Sequence, residues 1–115
     1  MNTKTDISEI MREKTGLFGA KLELLSGPMD GMEFIMKKAV VIMGRDNNND
    51  ICLPLDILVS RSHARIAYEN GEYWLEDMGS RNGTFIGERR VEGKVQLPIG
   101  TIFIVGRTEM RLCKS

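Results

Sequence analysis

Ala64-Arg65-Ile66-Ala67-Tyr68-Glu69-Asn70-Gly71-Glu72-Tyr73-Trp74-Leu75-Glu76-Asp77 is the stretch that decides the fold class. Its two halves are rich in β-branched and aromatic residues and meet at Asn70-Gly71, the dipeptide that most readily supplies the left-handed residues of a tight hairpin turn. The same grammar repeats outward in both directions. Short runs at 21–25, 33–37, 39–43 and 50–53 precede it, and runs at 84–86, 89–91, 94–97, 101–105 and 109–113 follow. Gly, Pro, Asn and Asp separate them at Gly27-Pro28, Asp30-Gly31, Asn47 to Asn49, Asn82-Gly83 and Pro98 to Gly100. About eleven short strands with no long helical pattern between them predict an all-β antiparallel sandwich rather than an α/β fold.

Residues 1–19 stand apart. Ile7, Ile10, Met11 and Lys14 hold a short helical period that Asp6 can cap, but one or two isolated turns are marginal in water. The expectation is a flexible N-terminal arm over 1–19 and one folded domain over 20–115. A chain of 115 residues suits a single domain with a real core.

Charge and composition then exclude whole classes of function. Sixteen basic and 16 acidic side chains cancel, which argues against a general nucleic-acid binder. No apolar run reaches the roughly 18 residues that cross a bilayer, so no membrane insertion is expected. The start is polar rather than signal-like, and the expected location is cytoplasmic. Cys52 and Cys113 lie in apolar stretches without a CxxC pair and read as buried small hydrophobes. With His63 the only histidine, a zinc site lacks ligands. The run Asp46-Asn47-Asn48-Asn49-Asp50 lacks the Gly and late Glu of a calcium loop and reads as a polar turn. Neither a metal nor a cofactor is expected.

Three polar clusters interrupt the strands: Gly44-Arg45, Ser60-Arg61-Ser62-His63 and Gly79-Ser80-Arg81-Asn82-Gly83-Thr84. Loops of a sandwich gather at its ends, so residues distant in sequence can converge on one surface. The clusters supply guanidinium, hydroxyl and amide donors without an acid–base partner, a set that suits an anion. Ser60, Ser62 and His63 lack an orienting acid and a Gly-x-Ser-x-Gly elbow, and the chain has no phosphate-binding or metalloprotease motif, so no enzyme is expected. Tyr73, Trp74, Phe85 and Phe103 occur singly in strands and read as core rather than as a base-stacking platform. The apolar pieces 53–55 and 57–59 around Asp56 fit either the edge of the core or a second contact surface.

Ile42-Met43-Gly44-Arg45, Asn49-Asp50-Ile51, Val59-Ser60-Arg61-Ser62-His63-Ala64 and Asp77-Met78-Gly79-Ser80-Arg81-Asn82-Gly83-Thr84-Phe85, in that order, resemble the forkhead-associated (FHA) domain family over about residues 20–114. The resemblance implies an eleven-stranded sandwich whose loops at one end bind phosphothreonine in a partner protein. It implies that Arg45 grips the phosphate with its planar fork, that Ser60 donates its hydroxyl and that Arg61 adds charge. Asn82 then holds the peptide backbone, and Arg81, Gly83 and Thr84 support it or touch the peptide. Gly44 and His63 buttress the site, the histidine through hydrogen bonds, and Gly44, Gly79 and Gly83 form turns. Met43 and Ile86-Gly87 depart from the family pattern, the second in a loop expected near the peptide groove. The implied role is a non-enzymatic reader downstream of a Ser/Thr kinase, and the alternative is a phosphate-independent scaffold like those of bacterial secretion assemblies. Thr3 and Thr5 are candidate regulatory phosphosites whose phosphorylated arm folds back onto Arg45.

Overall fold

A computed structural model describes residues 18–115, so the arm's short helical period, Thr3 and Thr5 lie outside the described residues. The eleven strands are β1 (Ala20–Leu24), β2 (Glu33–Ile35), β3 (Val40–Gly44), β4 (Ile51–Cys52), β5 (Ala64–Glu69), β6 (Glu72–Asp77), β7 (Thr84–Ile86), β8 (Arg89–Arg90), β9 (Lys94–Gln96), β10 (Ile102–Val105) and β11 (Thr108–Lys114). They form two sheets, ordered β2-β1-β11-β10-β7-β8 and β4-β3-β5-β6-β9. Among the described residues the strand pairs are antiparallel except the two-residue β3–β4 ladder, which is parallel. No described helix is long and apolar enough to cross a membrane.

The Asn70-Gly71 hairpin forms as its sequence dictates. Both residues take positive φ, 53° and 81°, and Glu69 pairs with Glu72 across a two-residue loop. That turn fixes the register of β5 against β6, which sends Ile66 and Leu75 into the core together. Strand β11 alternates likewise, with Thr108, Met110 and Leu112 inside. Phe103, Leu24, Met43 and Leu97 complete a continuous interior, each large apolar side chain contributing about 1.5–3 kcal/mol by leaving water.

The aromatic residues divide. Phe103 is core and Tyr73 packs against it, but Trp74 is half-buried on the outer face, where Lys94 stands 5.5 Å from its ring. Cys52 and Cys113 are free thiols, and both are half-buried rather than core. The Cys113 thiol donates to Glu23 at 2.6 Å. The segment around Asp56 also splits: Leu53 and Val59 are core, whereas Leu55, Ile57 and Leu58 are 65%, 74% and 41% exposed.

Register also places the loops. Met43 pairs with Ala64, Ala64 with Asp77, Thr84 with Val105 and Leu24 with Met110. The segments 25–32, 45–50, 53–63, 78–83 and 106–107 therefore all emerge at one pole of the sandwich. The Asn70-Gly71 turn marks the other pole. There the Tyr73 hydroxyl donates to the Phe18 carbonyl, Phe18 meets Tyr68 edge-on at 6.1 Å, and the Ser115 amide donates to Gly19 at 3.2 Å.

Candidate functional site

His63 is the hub of the loop pole. It is fully buried, the Ser60 amide donates to its Nδ1 at 3.0 Å, and its Nε2 lies 2.8 Å from the Gly83 carbonyl. An amide N–H only donates and a carbonyl only accepts, so these partners assign a neutral ring with its hydrogen on Nε2. One side chain thereby clamps the loop before β5 to the loop before β7. Both nitrogens are committed to backbone groups, which leaves His63 no lone pair with which to activate Ser60.

Further hydrogen bonds join three loops into one surface. The Arg45 amide donates to the Ser60 carbonyl at 3.0 Å, and the Asp46 amide to the Arg61 carbonyl at 3.3 Å. The Arg45 Nε donates to the Val59 carbonyl at 3.1 Å, which fixes the guanidinium and leaves its two terminal nitrogens without a partner among the described residues. The Ser60 hydroxyl accepts from the Arg81 amide at 3.0 Å, and its own proton goes to no described residue. Asn82 donates through Nδ2 to the Leu58 carbonyl at 2.8 Å, so part of its amide ties the loops and the rest faces outward. The Arg61 and Arg81 side chains are exposed and make no ion pair among the described residues.

Gly44 does not form a turn. It ends β3, and a Cβ there would lie 2.1 Å from the Arg61 carbonyl oxygen and 2.7 Å from Asn49 Nδ2. The residue is glycine because a second backbone passes over it. Gly79 and Gly83 do turn the chain, at φ 76° and 86°. Ile86 ends β7, so the Gly87-Glu88 turn lies a strand's length from Asn82 rather than beside it.

Three supporting residues went unassigned in the sequence. Asn49 donates to the Asp46 carbonyl at 2.8 Å and the Arg61 carbonyl at 2.6 Å, stitching the first loop to the second. The buried Asp56 accepts from the Arg107 amide at 2.8 Å, the Thr108 hydroxyl at 2.7 Å and the Leu58 amide at 3.1 Å. Asp77 accepts from the Ser80 hydroxyl at 2.6 Å, the Thr84 hydroxyl at 2.7 Å and the amides of Gly79 and Ser80 at 3.0 and 2.9 Å. Thr84 is fully buried, so its hydroxyl supports the loop from within. Polar side chains at turns are common, and no local pattern distinguishes these bonds from ordinary solvation.

Burial opposes the ionised form of Asp77, but the hydrogen bonds from Ser80 and Thr84 outweigh it and hold the carboxyl below its ordinary value. A carboxyl lowered by folding contributes stability that is complete above the unfolded pKa of about 3.9 and is lost as pH falls through the lower folded value. Urea titrations are therefore expected to show stability declining on acidification below about pH 4, with a shallower decline in Asp77→Asn. An identical decline in the variant would show that Asp77 is not the group concerned.

The outward-facing polar groups include a set of donors, the ends of Arg45, Arg61 and Arg81, the Ser60 hydroxyl and part of the Asn82 amide, and the exposed Asp46 adds one carboxylate to the same pole. The nearby carboxylates of Asp56 and Asp77 are turned inward and saturated with donors. Such a surface can hold a multiply charged oxyanion on prepositioned hydrogen bonds.

The profile described as FHA domain matches residues 41–106. The FHA domain-containing protein FhaB of Mycobacterium tuberculosis is 32% identical over 79% of this chain and 58% of its own length. The glycogen accumulation regulator GarA of the same organism is 38% identical over 66% of this chain and 46% of its own. The chain thus spans about half the length of the curated relatives it matches. A solved structure concerned with phosphothreonine-dependent FHA domain interactions superposes with a TM-score of 0.74 at 28% identity, covering 84% of this chain and 97% of that one.

Proposed function

This chain belongs to the FHA-domain family, and on that premise we propose that it reads phosphothreonine in a partner protein at its loop pole. The carrying observation is the donor-rich rim, cross-linked by His63 and carrying the terminal nitrogens of Arg45, which have no partner among the described residues. A phosphothreonine brings about −1.5 to −2 charges and three acceptor oxygens at neutral pH. Arg45 takes two of those oxygens as a fork, Ser60 donates to another, Arg61 adds charge, and Asn82 holds the peptide backbone, with Arg81 behind it. The chemistry is recognition without turnover. The role is signalling downstream of a Ser/Thr kinase in the cytoplasm, and the solved FHA domain studied for phosphothreonine-dependent interactions supports this reading.

Fluorescence anisotropy with a degenerate peptide library in phosphothreonine, phosphoserine and unphosphorylated forms tests it. Phosphothreonine peptides are expected to bind tightest, with phosphoserine weaker by the worth of one methyl group, about 1–3 kcal/mol. Equal binding of all three forms would make the protein a phosphate-independent scaffold instead. The phosphorylated arm is a further occupant in this proposal. Thr5 precedes Phe18 by 13 residues, a reach of at most about 45 Å if fully extended. In the same titration, phosphorylation at Thr3 or Thr5 is expected to weaken peptide binding.

A further inference from the structure

Across four neighbouring strands of the six-stranded sheet, the register lines up Glu109, Ile104, Phe85 and Arg90 in one row. Thr108, Phe103, Val105 and Thr84, one residue away along the same strands, are buried, so the row lies on the outer face. Phe85 and Ile104 at its centre are half-buried, and in the next row Arg111 pairs with Ile102, which is 37% exposed. Two residues on from Phe85 the chain turns at Gly87, where a Cβ would meet nothing within 4 Å. The two ends of the row carry opposite charge. Arg90 has no ion pair or hydrogen bond among the described residues, and the Glu109 carboxylate accepts from the Ser26 hydroxyl at 3.0 Å without forming an ion pair. The outer face of the other sheet differs, because there Arg65 pairs with Glu76 at 2.6 Å and Lys94 with Glu69.

We infer that this outer face receives a second copy of the chain, related to the first by a two-fold axis that runs along the strands midway between β10 and β7. Such an axis turns the face over and reverses the order of the row. Arg90 of each copy then meets Glu109 of the other, each Phe85 meets the opposite Ile104, and each Ile102 enters the space over the opposite Gly87. A two-fold dimer requires a self-complementary surface of this kind, and two sheet faces pack about 10 Å apart with their strands nearly aligned. The apolar centre supplies the attraction. The charges fix the register, since exposed ion pairs add little affinity by themselves. Zero net charge leaves no overall repulsion to hold two copies apart. The axis preserves strand direction, so both loop poles point the same way. On the phosphothreonine reading above, the dimer is a bivalent reader that favours a partner bearing two phosphothreonines; the dimer itself does not rest on that reading.

Sedimentation velocity of the whole chain between about 1 μM and about 1 mM is expected to show a reversible shift from one protomer to two. Arg90→Glu and Glu109→Arg each set like charges against one another and are expected to weaken dimerisation at least about tenfold. Mixing the two variants is expected to restore dimers, because each then offers the charge that the other lacks. A chain that stays monomeric throughout, a dimer that both variants leave intact, or a mixture that stays monomeric overturns the interface. Where the wild type is dimeric, peptides with two phosphothreonines on spacers of graded length are expected to bind about tenfold tighter than singly phosphorylated ones, and Glu109→Arg is expected to lose that gain. No gain at any spacing overturns the bivalent use and leaves the dimer standing. Failure of every phosphopeptide to bind overturns the phosphothreonine reading and the bivalent use with it, and again not the dimer.

Discussion

Arg45→Ala is expected to weaken phosphothreonine-peptide binding by about 2–4 kcal/mol, or roughly 30- to 1,000-fold. The size follows from what is removed. A bidentate, charge-assisted contact disappears while the dianionic phosphate still has to leave water to reach Ser60 and Asn82. The fold should not follow the affinity down. The Arg45 amide that donates to Ser60 belongs to the main chain and survives, and only the Nε bond to Val59 is lost, worth about 0.5–1.5 kcal/mol. Arg45→Lys retains the charge but not the fork and is expected to fall between the two. Anisotropy titrations beside thermal melts separate the effects, and affinity unchanged in Arg45→Ala would remove the phosphate from this loop.

Asp56→Ala is expected to act in the opposite sense, on the fold first and on the site through it. Its carboxylate is 1% exposed and receives three donors, one from the turn that joins β10 to β11 and one from Thr108 at the start of β11. Alanine leaves the Arg107 and Leu58 amides and the Thr108 hydroxyl without an acceptor, at about 1–3 kcal/mol for each group that stays buried. Allowing for relaxation, the cost is about 3–5 kcal/mol, enough to lower Tm by more than about 10 °C in a domain of this size. Asp56→Asn keeps one oxygen and is expected to recover part of the loss. Calorimetry decides the matter, and an Asp56→Ala protein melting within a few degrees of the wild type would mean that water replaces the carboxylate.

The sandwich was legible because its information is local. Asn70-Gly71 specifies its own turn, and alternation within each strand says which face is buried, so element type followed from neighbours in the chain. Arg45, Ser60, Arg61, Asn82 and His63 were legible as a donor set, and the family resemblance ordered them. What the sequence concealed depends on contacts between distant segments. Asp56 looks like the polar interruption of an apolar loop until Arg107 and Thr108 are folded against it. Gly44 reads as a turn because nothing local reveals that the Arg61 carbonyl passes over it. Trp74 reads as core because period-two patterning cannot tell the inner face of a sheet from an outer face covered by Lys94. The parallel β3–β4 ladder escapes for the same reason, since strand direction depends on the path between strands.

The bond from the Ser115 amide to the Gly19 carbonyl makes the domain a plug with both leads on one side. A polypeptide entering at Gly19 and leaving at Ser115 could be interrupted by this unit at the cost of one short gap, because the two ends already touch. The donor rim would then project away from the host on the far side of the sandwich. Grafted into an exposed loop of an enzyme or a fluorescent protein, the unit would face its ligand unobstructed. Any strain that occupancy imposed would reach the host only through the two strands β1 and β11, which lie side by side.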